Sequence, residues 1–225
     1  MVPSPRELNA GARWLFSLVL LLGLGAGPIS GCRKTEPLPE IARVPVFALR
    51  DQDGETLTAK QLYGKVWVAN FIFTSCPDVC PLLTGKMRTV RTKLAKDREQ
   101  LRFVSFSVDP AHDTPEVLQA YAREHGVDQP DWRFLTGPLD EIREVVVGGF
   151  KQSLQDSPAE QGTAEGKTPG KTPDQAANIM HGSHFVLVDK KLQIRGFYSS
   201  DQDGMLRLAR DARRLLAEAD AAGES

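Results

Sequence analysis

Along this chain, apolar runs alternate with amphipathic stretches, and the alternation defines the elements. Val66-Trp-Val-Ala-Asn-Phe-Ile-Phe73 is apolar almost throughout, as a central strand buried on both faces requires. Leu101-Arg-Phe-Val-Ser-Phe-Ser-Val108 reads as a second strand and Trp132-Arg-Phe-Leu135 as a third, shorter one. Between them, Leu82, Leu83, Met87, Val90 and Leu94 recur at helical spacing among lysines and arginines, which predicts a helix over 81–97. Asp113-Thr-Pro-Glu116 opens another helix, with Asp or Thr as cap and Pro115 in the first turn, and Gly126 stops it after His125.

The flanks follow the same logic. Val46–Leu49 and Glu55–Thr58 straddle Asp53-Gly54 and predict a β-hairpin. Lys60–Gly64 suggests a short helix, Pro138–Phe150 a longer one. His184–Asp189 and Gln193–Tyr198 form a second hairpin around Lys190-Lys191, and Met205–Ala219 is an amphipathic closing helix. Residues 153–178 carry glycines and prolines among lysines and threonines, without an apolar face, and predict a mobile surface insertion. Strand, helix, strand, helix, hairpin, helix is an α/β layout with a mixed sheet and right-handed crossovers. It is the order of a thioredoxin-like fold with an extra N-terminal β-hairpin.

The N-terminus changes the setting. Arg6 and Arg13 precede an apolar run, Trp14–Leu24, too short to span a bilayer comfortably, followed by Gly25-Ala-Gly-Pro-Ile-Ser-Gly-Cys32. This is a secretory signal, and Ile29-Ser-Gly-Cys32 resembles the lipobox of bacterial lipoproteins, in which the cysteine becomes the lipidated first residue. The expected organisation is a signal over 1–31, a tether over 32–44, a domain over 45–219 and a frayed tail over 220–225. The domain then lies outside the cytoplasm, tethered to a bacterial membrane through lipid on Cys32. The whole chain has 28 basic and 29 acidic residues; losing Arg6, Arg13 and Glu7 with the signal leaves 26 and 28. So near-neutral a balance gives no footing for nucleic acid or an anionic membrane surface as partner.

Only three cysteines are present, and with Cys32 assigned to export, Cys76 and Cys80 remain as a pair. They fall where the first strand ends and a helix begins, at the carboxyl end of the sheet, where ligand chemistry gathers in α/β folds. Residues four apart share a helix face, so both sulfurs can point to one spot. A helix N-terminus favours the thiolate and predicts lowered thiol pKa values. Such a dithiol does redox chemistry or binds Cu(I), and less readily zinc. Three intervening residues depart from the two of thioredoxin-type oxidoreductases. Prolines and Asp78 around the pair suggest a tight, partly exposed turn.

Of four histidines, His125 suits a helix end and His112 lies in the loop before that helix. His184 shares a strand face with Val186 and Val188, and His181 lies in the preceding loop. Spacing alone leaves both His181 and His184 open as a third ligand.

Phe73-Thr-Ser-Cys-Pro-Asp-Val-Cys-Pro81 resembles the copper-binding motif of the Sco/SenC family of cytochrome oxidase assembly proteins. Ser105–Pro110 with Asp113–Leu118, and Trp132–Gly137, are similar to two further signatures of that family. His181-Gly-Ser-His-Phe-Val-Leu-Val-Asp189 resembles its histidine block, whose ligand stands eight residues before the aspartate. The resemblance therefore selects His181. It implies a metallochaperone rather than an enzyme, with copper, as Cu(I) or Cu(II), on Cys76, Cys80 and His181. It also implies delivery to the binuclear copper centre of cytochrome c oxidase subunit II, or to another copper enzyme. The alternative is an extracytoplasmic thiol–disulfide oxidoreductase that uses Cys76 and Cys80 to keep target cysteines reduced. Gly182 and His184 depart from the family pattern.

Overall fold

The computed structural model describes residues 36–97, 99–150 and 184–221. The chain divides into two units, Met1–Pro37 and Leu38–Ser225, and the sheet belongs to the second. Eight strands form that sheet: β1 (Ala42–Arg43), β2 (Ala48–Asp51), β3 (Thr56–Thr58), β4 (Val66–Ile72), β5 (Leu101–Ser107), β6 (Trp132–Thr136), β7 (His184–Val188) and β8 (Gln193–Ser199). Their order is β1-β8-β7-β4-β5-β6-β2-β3. β4, β5 and β6 run parallel, and the remaining pairs are antiparallel. The mixed sheet and both hairpins match the sequence pattern.

Alternation along β4 divides the core. Val66, Val68 and Ile72 face one layer, which α1 (Val79–Lys93), α2 (Pro115–Glu124) and α4 (Gln202–Ala221) cover with Leu83, Met87, Val90, Leu118, Leu208 and Leu215. Trp67, Ala69 and Phe71 face the other, against Ile142 of α3 (Leu139–Arg143), Val145, Val146 and Phe150. Fully burying one such side chain contributes about 1.5–3 kcal/mol.

Four boundaries differ from expectation, each for a local reason. β1 lies inside the stretch read as a tether; it pairs with β8, and Arg195 holds the chain just upstream, donating from Nε to the Pro39 carbonyl at 3.1 Å and from Nη2 to that of Leu38. Arg195 is itself paired with Asp189 at 2.7 Å, both side chains buried. The predicted 138–150 helix becomes α3 followed by a π-helical turn over Glu144–Gly149. Three consecutive valines and two glycines weaken the α register there, and Phe150 gains an aromatic nest with centroids 6.0, 5.3 and 5.4 Å from Trp67, Phe71 and Phe106. α4 starts at Gln202, ahead of Met205, because the Asp201 carboxylate accepts the Gly204 N–H at 2.7 Å. α1 starts at Val79, with Asp78 as its first flanking residue, so Pro77 and Cys76 precede the helix.

The predicted insertion over 153–178 lies outside the described residues, as does His181.

Candidate metal and redox site

β4 delivers the chain to the carboxyl edge of the sheet, where Phe73–Asp78 turns into α1. Cys80 stands in the first turn of α1 and Cys76 in the preceding loop. The two are therefore not paired through a shared helix face, as their spacing suggested. The Cys80 N–H donates to Cys76 Sγ at 3.4 Å, and the Phe73 N–H donates to Cys80 Sγ at 3.5 Å. Both thiols are free and buried, 8 % exposed at Cys76 and 1 % at Cys80. The turn is partly exposed, as expected, at Ser75, Pro77, Asp78 and Val79, while the two sulfurs are turned inward, with Cys76 as the outer one.

Their acidities diverge. Burial opposes ionisation of Cys76, but the N–H groups of Cys80, Asp78 and Val79 and the Cys80 thiol together outweigh it and lower its pKa. Burial pushes the Cys80 thiol up to about 12; the Phe73 N–H works against this, and the charges of Cys76 and Asp113 add to it. The helix terminus therefore does not lower both thiols. At neutral pH the outer sulfur is the better nucleophile and the inner one holds its proton.

Asp113 organises the loop from behind. It is fully buried and does not cap α2; Thr114 does, accepting the Val117 N–H at 3.4 Å. Asp113 accepts the Thr74 N–H at 3.2 Å, the Thr74 hydroxyl at 2.5 Å and the Ser107 hydroxyl at 2.6 Å. His112 Nδ1 lies 3.2 Å from both Thr74 Oγ1 and Asp113 Oδ1. Below the thiols, Tyr121 Oη and Thr84 Oγ1 meet at 2.9 Å in the core; burial pushes the Tyr121 hydroxyl up to about 12, with the Thr84 bond opposing. Sequence reasoning gave Asp113, Thr74, Ser107 and Tyr121 no role of their own, although Thr74, Ser107 and Asp113 fall within the stretches that resemble family signatures.

The remaining histidines separate clearly. The His125 ring packs 4.2 Å from that of Tyr121 at the end of α2, as expected for a structural position. His184 begins β7 on the face shared with Val186 and Val188, which belong to the core layer opposite the one containing Cys76 and Cys80. Among the described residues, no group of three or more His, Cys, Asp and Glu side chains is arranged to hold a metal ion. The donor set present is two soft sulfurs, which fit Cu(I).

The family model described as SCO1/SenC matches residues 36–217. The chain belongs to the SCO1/SenC family. Solved structures of Sco proteins resemble it over 77–80% of the chain. A SCO1/SenC family lipoprotein from Bacillus anthracis is 32% identical, with a TM-score of 0.63, covering 78% of this chain and 95% of its own. BsSco, a Sco-family cytochrome c oxidase assembly protein in which a disulfide switch was identified, is 27% identical with a TM-score of 0.63, covering 80% and 96%. Copper-bound ScoI from Bradyrhizobium japonicum is 25% identical with a TM-score of 0.59, covering 77% and 99%. The thioredoxin-like fold of the Sco family is therefore the fold of this chain.

Proposed function

We propose that this protein carries copper on Cys76, Cys80 and His181 and hands it to a copper enzyme during respiratory oxidase assembly, with cytochrome c oxidase subunit II as the acceptor. The observation that carries this reading is the pair of sulfurs gathered by backbone N–H groups at the carboxyl edge of the sheet. Two thiolates hold Cu(I), and an imidazole completes a three-coordinate site that also accepts Cu(II).

Chain length supports His181. The ladder pairs Ala69 with Val186, which brings position 184 level with Phe71, two residues before Phe73. Three residues span at most about 10 Å, enough to reach the sulfurs from there. The face that His184 occupies favours His181 over it. Copper loading at neutral pH expels the Cys80 proton, since the ligand is the thiolate. Copper-bound ScoI and the oxidase-assembly role of BsSco support the same reading.

The test is a Cu(I) titration of the reduced protein against a competing chelator, with His181→Ala and Cys80→Ala beside wild type. Loss of tight 1:1 binding in both variants is expected; tight binding unaffected by His181→Ala refutes the ligand set.

A second reading is thiol–disulfide exchange, favoured by the acidity difference between the two cysteines and by the disulfide switch of BsSco. Reductase turnover that requires both cysteines and ignores His181 identifies it. The reading of Cys32 as a lipidated residue belongs to the proposal, placing the domain on the outer side of a bacterial membrane. The Bacillus anthracis lipoprotein supports it. No helix among the described residues is long and apolar enough to cross a membrane.

A further inference from the structure

The first turn of α1 is the least supported of the three in its layer. Its flanking Asp78 makes no side-chain bond to the helix, and the first ladder bond, from the Leu82 N–H to the Asp78 carbonyl, is long at 3.4 Å. α2 and α4 start with a cap: Thr114 accepts the Val117 N–H, and Asp201 accepts the Gly204 N–H at 2.7 Å. A helix that lacks a capping side chain is less firmly held at that end. Yet this turn carries Cys80, whose sulfur must keep a fixed place beside that of Cys76 if both are to grip one ion. The bonds to the sulfurs themselves do not secure it, because a bound metal ion or a disulfide redraws them.

Thr84 stands one turn after Cys80 on the same face of α1. It is fully buried, in a layer otherwise built of side chains such as Ile72, Leu83, Met87 and Phe134. A threonine inside a helix commonly donates its hydroxyl to the carbonyl four residues back. Two on α1 do so, Thr89 to Gly85 at 3.1 Å and Thr92 to Arg88 at 2.9 Å. The Thr84 hydroxyl instead leaves its helix and meets Tyr121 Oη of α2 at 2.9 Å. The Tyr121 ring is itself wedged, its centroid 6.0 Å from that of Phe134 and 4.2 Å from that of His125. The 113–124 segment therefore grips the dithiol stretch at two points. Asp113 holds Thr74, two residues before Cys76, and Tyr121 holds Thr84, four residues after Cys80.

We infer that Tyr121 is a positioning residue for Cys80: its hydroxyl, acting through Thr84, pins the uncapped turn and so fixes one sulfur relative to the other. An apolar pair of the same shape would fill this space at nearly equal stability. What the two hydroxyls add is direction, a link between α1 and α2 one turn below the sulfur. Tyr121 touches neither the sulfurs nor any cargo, and acts only through the helix that carries Cys80. The inference rests on the copper reading for its consequence in metal affinity, and on the fold alone for its hold on the turn.

The experiment compares the full-length wild type, reduced and metal-free, with Tyr121→Phe, Thr84→Val, their double variant and Thr84→Ser. Leu215→Ala, in the same layer but near the far end of α4, is the control for lowered stability alone. Amide exchange across 79–84 is followed by mass spectrometry, and Cu(I) affinity by titration against a competing chelator. Exchange there should run about fivefold faster in Tyr121→Phe and in Thr84→Val, the effect of losing one net hydrogen bond. The double variant should be no worse than either, since one bond is lost in all three. Cu(I) affinity should fall by about the same factor in these three, and stay at the wild-type value in Thr84→Ser and Leu215→Ala. Wild-type exchange in Tyr121→Phe overturns the inference, as does faster exchange with unchanged Cu(I) affinity, or an equal loss of affinity in Leu215→Ala. A wild type without a tight Cu(I) site refutes copper carriage instead, and the exchange rates alone then decide whether Tyr121 holds the turn.

Discussion

Replacing Asp113 by alanine removes the carboxylate that accepts from Thr74 in the Phe73–Asp78 loop, and the cost can be worked from its partners. Three donors lose their acceptor: the Thr74 N–H, the Thr74 hydroxyl and the Ser107 hydroxyl. A buried donor left unpaired costs about 1–3 kcal/mol. The two hydroxyls can turn to other acceptors, whereas the backbone N–H is fixed, so the total should fall near 3–5 kcal/mol rather than at the sum of maxima. For a domain of this size that is a fall in Tm on the order of 10 °C. Asp113→Asn keeps the shape and one oxygen for Thr74, and should cost only about 1–2 kcal/mol. Urea unfolding of the reduced protein, followed by tryptophan fluorescence, measures both, with the exposed Asp140→Ala as control. A second readout is specific to the site. The Asp113 charge helps to hold the Cys80 proton, so Asp113→Asn should speed alkylation of Cys80. The reasoning fails if Asp113→Ala stays within about 1 kcal/mol of wild type, or if the Asn variant is as damaging as the Ala variant.

In the wild-type protein, iodoacetamide at neutral pH should modify Cys76 well before Cys80, by peptide mass analysis; equal rates would contradict the divergent acidities. Cys80 keeps its proton when folded to about pH 12, whereas the unfolded thiol loses it near 9. The folded state therefore binds more protons between those values, and stability should fall as pH rises through that window, less steeply in Cys80→Ser. Arg195→Gln leaves the Asp189 carboxylate buried without its cation and should cost about 3–5 kcal/mol, with new protease cleavage near Leu38. Gly204→Ala should destabilise by about 1–3 kcal/mol, because a Cβ there would stand 2.0 Å from the Ser199 carbonyl oxygen. Gly148→Ala, with open space around the added methyl, should be neutral or stabilising by thermal melting.

Most of the fold was legible because its signals are local. β4 and β5 are apolar runs, α2 announces itself through Thr114-Pro115, and Gly126 ends it at a φ of 64°. β1 was not legible: two residues carry no periodicity, and their pairing depends on Arg195, about 150 residues away in sequence. The π-helical turn was hidden for a similar reason. A Cβ on Gly149 would stand 2.3 Å from Pro45 Cδ, a contact no pattern in 138–150 contains. Within the site, the dithiol was evident from spacing, but its chemistry was not. The helix-terminus argument treats both sulfurs as exposed to the same field, whereas the core decides their difference by burying Cys80 under Phe73 and beside Asp113. Asp113 itself looked like a cap, because its true partner, Thr74, is 39 positions away.

The grip of Arg195 on the Leu38 and Pro39 carbonyls also decides where mechanical load enters the domain. β1 is two residues long and sits at the rim of the sheet. Tension arriving from upstream would otherwise peel it from β8, and the bared strand would be free to recruit another chain. With the guanidinium braced against Asp189, the pull passes into the β7–β8 corner instead. If the proposed lipid on Cys32 anchors the chain, a jostled membrane would tug on the domain without unzipping it.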